Sequence, residues 1–327
     1  MEELNLKKIA YIVPYFGKFP KGFEFWLLSC GCNSDIDWLI YTDDHTPYKY
    51  PDNVKVIYCT FQQIKERVQS IYDFKISLER PYKLCDYRPA YGEIFQKELK
   101  GYDFWGHCDI DLVWGDIRKF YTDEILENYE KVGFFGHSII YKNTEEVCSR
   151  YKTFVENQMY YKDVYSVDKG YAFDEVGMDA IYEALHIPVY SEIIFANLLK
   201  YDYGFYLDQQ KEEDKYKNEY QIFTWKNGKL IRYYLHATEV KTEEYLYLHY
   251  WCRPTSFKIK EYNLNKQYLI YADTTIDKEI SITPNLVKKL GKRNMIKYYV
   301  KSIWWNRKKL TLERIIFNIK GMIEYKK

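Results

Sequence analysis

Apolar residues in the first 110 positions come in short blocks separated by polar turns. The block at 8–14 ends in Pro14 and Gly17 and reads as a buried strand followed by a loop. Residues 37–41, 54–58 and 102–106 form three more such runs. Between them, 23–30, 61–71 and 83–99 read as helices, the last with Pro89 near its start. Strands alternating with helical stretches predict right-handed βαβ units and a mainly parallel, Rossmann-type α/β sheet with flanking helices.

The second half is less regular. A strand is expected over 132–135, helices over 144–159 and 174–185, and an extended piece over 188–193. Residues 220–225 and 230–235 flank Asn227-Gly228, the dipeptide that a type I′ hairpin turn favours. An aromatic strand is expected over 245–251, and the charged stretch 209–217 reads as an exposed loop. Beyond Pro284, Ile296, Val300, Ile303 and Trp304 lie at helical spacing among lysines. Leu312, Ile315, Ile316, Ile319 and Ile323 repeat the pattern. Two basic amphipathic helices are expected there. The division predicted is a main unit over 1–260, in two halves over about 1–115 and about 116–260, and a C-terminal extension over 261–327.

Charge sharpens this division. The net charge is +1, but residues 283–327 hold 13 Lys and Arg against 2 Asp and Glu, so an acidic body carries a basic tail. Such a tail suits an anionic surface. No nucleic-acid-binding motif accompanies it, so the expected partner is an anionic membrane surface, or else the acidic body itself. An apolar share of 47% with 15 Gly and 9 Pro excludes disordered, collagen-like and low-complexity classes. With 37 Tyr, 18 Phe and 8 Trp, rings remain beyond those a core needs. They suit sugars and bases, and they equally suit a compositional bias toward Tyr, Lys, Ile and Asn. Seven scattered cysteines show neither a C-x-x-C pair nor zinc spacing. With no signal-like N-terminus and no apolar run long enough to span a bilayer, a reduced cytoplasmic setting is expected, peripheral to the inner face of the membrane.

The chemistry concentrates at Asp109-Ile110-Asp111, directly after the strand expected at 102–106. Strand ends are where an α/β sheet presents its site. Two carboxylates one residue apart can share Mg²⁺ or Mn²⁺. Surface turns are often acidic, but here apolar and aromatic residues flank the pair on both sides, and an unpaired charge in such a setting is costly.

The segments 83–92 (with Lys83, Asp86 and Arg88) and 102–111 together resemble the nucleotide-sugar glycosyltransferases of the GT-A fold. The bacterial capsule and lipopolysaccharide enzymes, and a related family with a D-x-D motif, are the nearest in character. The resemblance follows the order of elements over about 8–253, with some thirty residues matching specifically. It implies a GT-A-like catalytic domain over 1–260, with a nucleotide-binding half over about 1–115 and an acceptor half over about 116–260, and a UDP-sugar donor. It also implies a glycan acceptor, here one carried on a lipid at the bacterial surface. By the same resemblance Asp109, Asp111 and His249 hold Mn²⁺ or Mg²⁺. Pro14, Tyr15 and Phe16 meet the base and ribose, and Asp43 or Asp44 accepts from a uracil imide. Lys83, Asp86, Arg88, Asp109 and Ile110 line the donor, and Arg253 holds the diphosphate. The relatives space their Asp and Arg as D-x-x-R, whereas here the pair is Asp86-x-Arg88, so one of the two is expected to point elsewhere. Asp174 and Glu175 are placed at the acceptor hydroxyl, as general base in an inverting enzyme or acceptor-orienting acid in a retaining one; His137 is placed on the acceptor side. Retention is favoured through His249. Each assignment has a structural counterpart: two acids favoured by a helix N-terminus, an Asx turn at Asp43, a packed strand histidine at 249. The rival functions are a metal-dependent nucleotidyl- or phosphotransferase and a non-catalytic, membrane-associated glycan-binding protein.

Overall fold

The computed structural model describes residues 6–199, 205–208 and 212–292, together with 296, 299, 300, 303 and 304. Along the chain come β1 (Ile9–Tyr15), helix Phe23–Gly31, β2 (Ile36–Thr42), β3 (Val54–Tyr58) and helix Phe61–Gln69. A helical segment at 81–94 leads to β4 (Phe104–Cys108) and β5 (Leu112–Trp114). Next are β6 (Lys131–Val132), β7 (Ser138–Lys142), helix Met178–Ala184 and β8 (Ala196–Asn197). The last third contains β9 (Gln221–Lys226), β10 (Lys229–His236), β11 (Glu239–Glu244), β12 (Tyr247–His249), β13 (Ser256–Lys258), β14 (Tyr268–Tyr271), β15 (Thr274–Asp277) and helix Pro284–Leu290.

The first sheet has the order β3-β2-β1-β4-β7-β6. Its first four strands are parallel, while β7 runs antiparallel to both β4 and β6. Both faces are covered, which is why the strands read as unbroken apolar runs. Ile9, Tyr11 and Val13 enter one core with Trp26, Trp38 and Trp114. Ala10 and Ile12 enter the other, with Tyr87, Trp105 and Tyr141. The expected mainly parallel sheet with flanking helices is the fold observed, with β7 the one strand of this sheet that runs against the others.

A second six-stranded sheet, β11-β10-β9-β14-β15-β13, follows it in the chain. The small sheet β5-β12-β8 takes β5 from within the span of the first sheet and β12 from within that of the second. Val113, Ala196 and Leu248 from that small sheet share a core with Phe223 and Trp225 of β9, and the Trp225 indole donates to the Trp114 carbonyl at 2.6 Å. The hairpin turn is as expected, with Asn227 at φ 47° and Gly228 at φ 72°. A residue with a Cβ is strained at the second of these positions, which is where the chain has Gly.

Several expectations need correction. The boundary at 260 falls inside the second sheet, because β14 pairs with β9 and β15 with β14. The boundary expected at about 115 falls inside the first sheet, because β7 pairs with β4. The strand expected at 132–135 is only Lys131–Val132; Gly133 turns the chain at φ 95° and the principal strand begins at Ser138. The helix expected at 83–99 is broken into short turns, since Pro89 lacks the N–H that a continuous helix needs. The helix expected at 144–159 gives way at Thr153 to extended backbone. The strand expected at 245–251 keeps only Tyr247–His249, because Trp251 and Cys252 both turn to positive φ. The tail helices lie outside the described residues apart from 296, 299, 300, 303 and 304. Among the described residues no helix is long and apolar enough to cross a membrane.

Candidate functional site

The D-x-D segment lies between β4 and β5. Ile110 is buried in the core, while its neighbours Asp109 and Asp111 turn outward and stay partly exposed. β12 pairs antiparallel with β5, with His249 opposite Leu112, and this brings the imidazole to the two acids. His249 Nε2 lies 3.4 Å from Asp111 Oδ1 and 3.7 Å from Asp109 Oδ2. One ligand atom from each of the three residues falls within 4.8 Å of the others. Bonds of about 2.1 Å at right angles place neighbouring ligands about 3 Å apart. The two separations from His249 are within 1 Å of that spacing, and the whole set, within 4.8 Å, fits a divalent cation after closing by up to about 2 Å. Two carboxylate oxygens and one imidazole nitrogen suit Mg²⁺ and, with the nitrogen, Mn²⁺.

Neighbouring groups fix these ligands. Asp111 Oδ2 accepts from the Cys252 N–H at 2.7 Å, and the Asp111 carbonyl accepts from the Tyr250 N–H at 3.0 Å. Burial works against ionising Asp111, but the His249 ring and the Cys252 N–H hold its carboxyl down at about 2. His249 Nδ1 faces Asn197 Oδ1 at 2.8 Å. The Trp251 ring lies nearly parallel to His249 at 6.5 Å, on a corner where two successive non-glycine residues have positive φ. Such strain gathers at functional sites.

Arg88 sits beside the acids as a fork. Its Nη2 donates to Asp109 Oδ1; its Nη1 donates to the Gly136 carbonyl at 2.7 Å and to Asp174 Oδ2 at 3.0 Å. Burial opposes the guanidinium charge, and the Cys85, Asp109 and Asp174 groups around it hold the charge on. Burial likewise pushes the Asp174 carboxyl up to about 6; Arg88 pulls it down and Glu175 pushes it further up. Glu175 Oε1 accepts from the Gly136 N–H at 2.5 Å. A Cβ on Gly136 would lie 2.6 Å from Asp174 Oδ2 and 2.8 Å from Glu175 Oε1, so a larger residue there would push these carboxylates aside.

The other expected site residues divide sharply. Pro14 is in β1 opposite Tyr41, and Tyr15 ends that strand half-buried, stacked on Phe19 at 5.0 Å. Phe16 packs against the core and edge-on to Phe61 at 5.5 Å. Asp43 Oδ1 accepts from the Gly17 N–H at 2.7 Å. Asp44 is a correction: it is buried and accepts from Lys18, Phe19 N–H and both polar groups of Thr46, so its lone pairs serve its own loop. Burial opposes its charge, but these bonds hold its carboxyl well below the usual range.

Lys83 and Asp86 are a second correction. The buried Lys83 ammonium uses all three donors on Asp86 at 2.9 Å and on the carbonyls of Val164 at 2.9 Å and Lys169 at 2.5 Å. Asp86 in turn accepts from the N–H groups of Tyr171 and Phe173. The pair holds the chain that leads into Asp174 and does not face the acids. His137 is sealed beneath the site: Nδ1 meets the Tyr247 hydroxyl at 2.7 Å and the ring lies 4.6 Å from His249. Burial, then His249, pushes its pKa well below the ordinary value, so it is a packed neutral ring and not an acceptor-facing group. Arg253 donates to the Leu199 carbonyl at 2.7 Å and lies over the Phe205 ring at 5.7 Å. Asn197 was missed by the sequence reading. The signal for it is that Asn197 is the one polar residue in the apolar run 193–199.

Among solved structures, the chain is similar to apo mouse xyloside xylosyltransferase 1, with 10% identity over 59% of this chain and 88% of that one and a TM-score of 0.33. It is also similar to the galactosyltransferase LgtC in complex with donor and acceptor sugar analogues, with 12% identity over 58% and 74% of the two chains and a TM-score of 0.33. A third similar structure is the apo glycosyltransferase GlyE of Streptococcus pneumoniae TIGR4, with 13% identity over 43% and 35% and a TM-score of 0.27. No curated protein matches the chain. The family model described as "Family of unknown function (DUF6625)" matches residues 11–279, and the chain belongs to that family.

Proposed function

We propose that this protein is a metal-dependent glycosyltransferase that draws a sugar from a nucleoside diphosphate donor, UDP-linked by the sequence resemblance. The observation that carries the reading is the convergence of Asp109, Asp111 and His249, from segments far apart in the chain, beside the Arg88 fork. A cation held by these three residues would bridge a diphosphate and offset the charge on the leaving group. Arg88 fixes the free direction of Asp109 and supplies a second positive group at the same place. Tyr15 offers a half-buried ring to a base, and Asp43 keeps one carboxylate oxygen for an imide.

Retention at the anomeric carbon is supported by the engagement of both expected acids. Asp174 is committed to Arg88 and Glu175 to the Gly136 N–H. A retaining reaction does not need a strong base there, whereas an inverting one does. The acceptor proposed is a lipid-linked surface glycan, met at the inner face of the membrane by the basic tail.

Calorimetric titration of UDP with and without Mn²⁺, on wild type and Asp109→Asn, tests this reading. Binding that needs both the metal and Asp109 is expected. Equal binding without metal, or by the variant, overturns the metal assignment; absence of binding by any nucleoside diphosphate overturns the function.

A further inference from the structure

We infer that Asn197 is a positioning residue that fixes the tautomer of His249 and aims its Nε2 lone pair at the cation; this rests on the metal reading above. The two residues are opposite each other in the parallel pairing of β8 with β12. The same ladder fixes them further: Leu198 N–H donates to the His249 carbonyl at 3.1 Å, and Asp208 N–H donates to the Asn197 carbonyl at 2.9 Å. Neither the asparagine nor the imidazole is free to turn, since both are buried at about 5% exposure.

A neutral imidazole has one donor and one acceptor nitrogen, and the partner of one nitrogen decides the role of the other. The Asn197 oxygen, at 2.8 Å, calls for a proton on Nδ1. Nε2 is then left as the acceptor, and it is the nitrogen that faces Asp109 and Asp111. The opposite tautomer would point an N–H into the space between the carboxylates and exclude a cation. His137, packed against the ring from beneath, blocks a flip that would exchange the nitrogens.

Asn197→Leu keeps the volume and removes the acceptor; Asn197→Asp keeps an acceptor. For Mn²⁺ binding counted by electron paramagnetic resonance, the Leu variant is expected to weaken affinity about 10–100-fold. The Asp variant should bind at least as well as wild type. In metal-free protein labelled with ¹⁵N-histidine, at a pH high enough to make the ring neutral, the His249 signal, identified by its loss in His249→Gln, should report the one proton on Nδ1. A merely structural role would leave that signature unchanged in the variants. A wild-type proton on Nε2, or Mn²⁺ affinity unchanged in Asn197→Leu, overturns the inference. Wild type that binds no Mn²⁺ overturns the metal reading instead, and the nitrogen signature still decides the tautomer. Should the Leu variant not fold, that signature and the Asp variant decide the matter.

Discussion

Two cation–carboxylate groups arise from one short stretch of chain, and they have opposite characters. Lys83 and Asp86 are sealed, with every ammonium donor and carboxylate oxygen used on each other or on backbone. Arg88, five residues on from Lys83, joins Asp109 and Asp174 instead, and Asp109 keeps its second oxygen turned toward His249. Saturation separates them. A buried pair whose valences are all internal holds the fold, while a pair with valences left over at a strand end can take a ligand. The sealed pair serves the open one, because it ties down the chain at 171–173 that presents Asp174.

The contrast can be broken by substitution. Lys83→Met leaves Asp86 buried without its cation, and the expected loss is about 3–5 kcal/mol in urea unfolding. Mn²⁺ affinity of the folded protein should not change; weakened affinity would place Lys83 in the site after all. Asp111→Asn should have the reverse profile, with about a thousandfold loss of turnover, near 4 kcal/mol, and a melting temperature close to wild type. The third test uses pH. The folded protein holds the Asp174 proton to about 6, against an ordinary value of 3.8. Stability from this group therefore falls as pH rises from about 4 to 6, by about 3 kcal/mol in total, and levels off above that. Relative to Asp174→Asn, wild type should lose stability between pH 4 and pH 7 in urea titrations; a flat difference would show that the carboxyl is not raised. The smallest effect belongs to Tyr82, which is 77% exposed although Lys83 beside it is buried. Tyr82→Ala should change unfolding free energy by less than about 0.5 kcal/mol.

The parts legible in the sequence are those set by local pattern. Unbroken apolar runs revealed the parallel strands, Asn227-Gly228 marked its hairpin, and acids after a strand marked the site. His249 was reached through family resemblance, and the pairing of β12 with β5 brings it beside Asp109 and Asp111. What stayed hidden depends on distant partners. The i,i+3 spacing of Lys83 and Asp86 is visible, but the backbone groups that saturate them lie 81 to 87 residues away. Asn197 is unremarkable until the pairing of β8 with β12 sets it against His249. β11, with its run of charged residues, lacks the apolar signal of a strand and forms by pairing with β10 at the sheet edge.

The bond between Asp111 and the Cys252 N–H joins residues 141 positions apart. A ribosome adding about 5–20 residues per second takes roughly 7–28 s to cover that distance. The acids of the first sheet thus emerge well before the imidazole and the corner that restrain them. During that interval the nascent chain carries an acidic pair without the histidine that faces it, and the three groups come together only after β12 has been synthesised and has docked on β5. A cation that needs all three of them would therefore be captured late in the making of this molecule, once the last third of the chain has found its place.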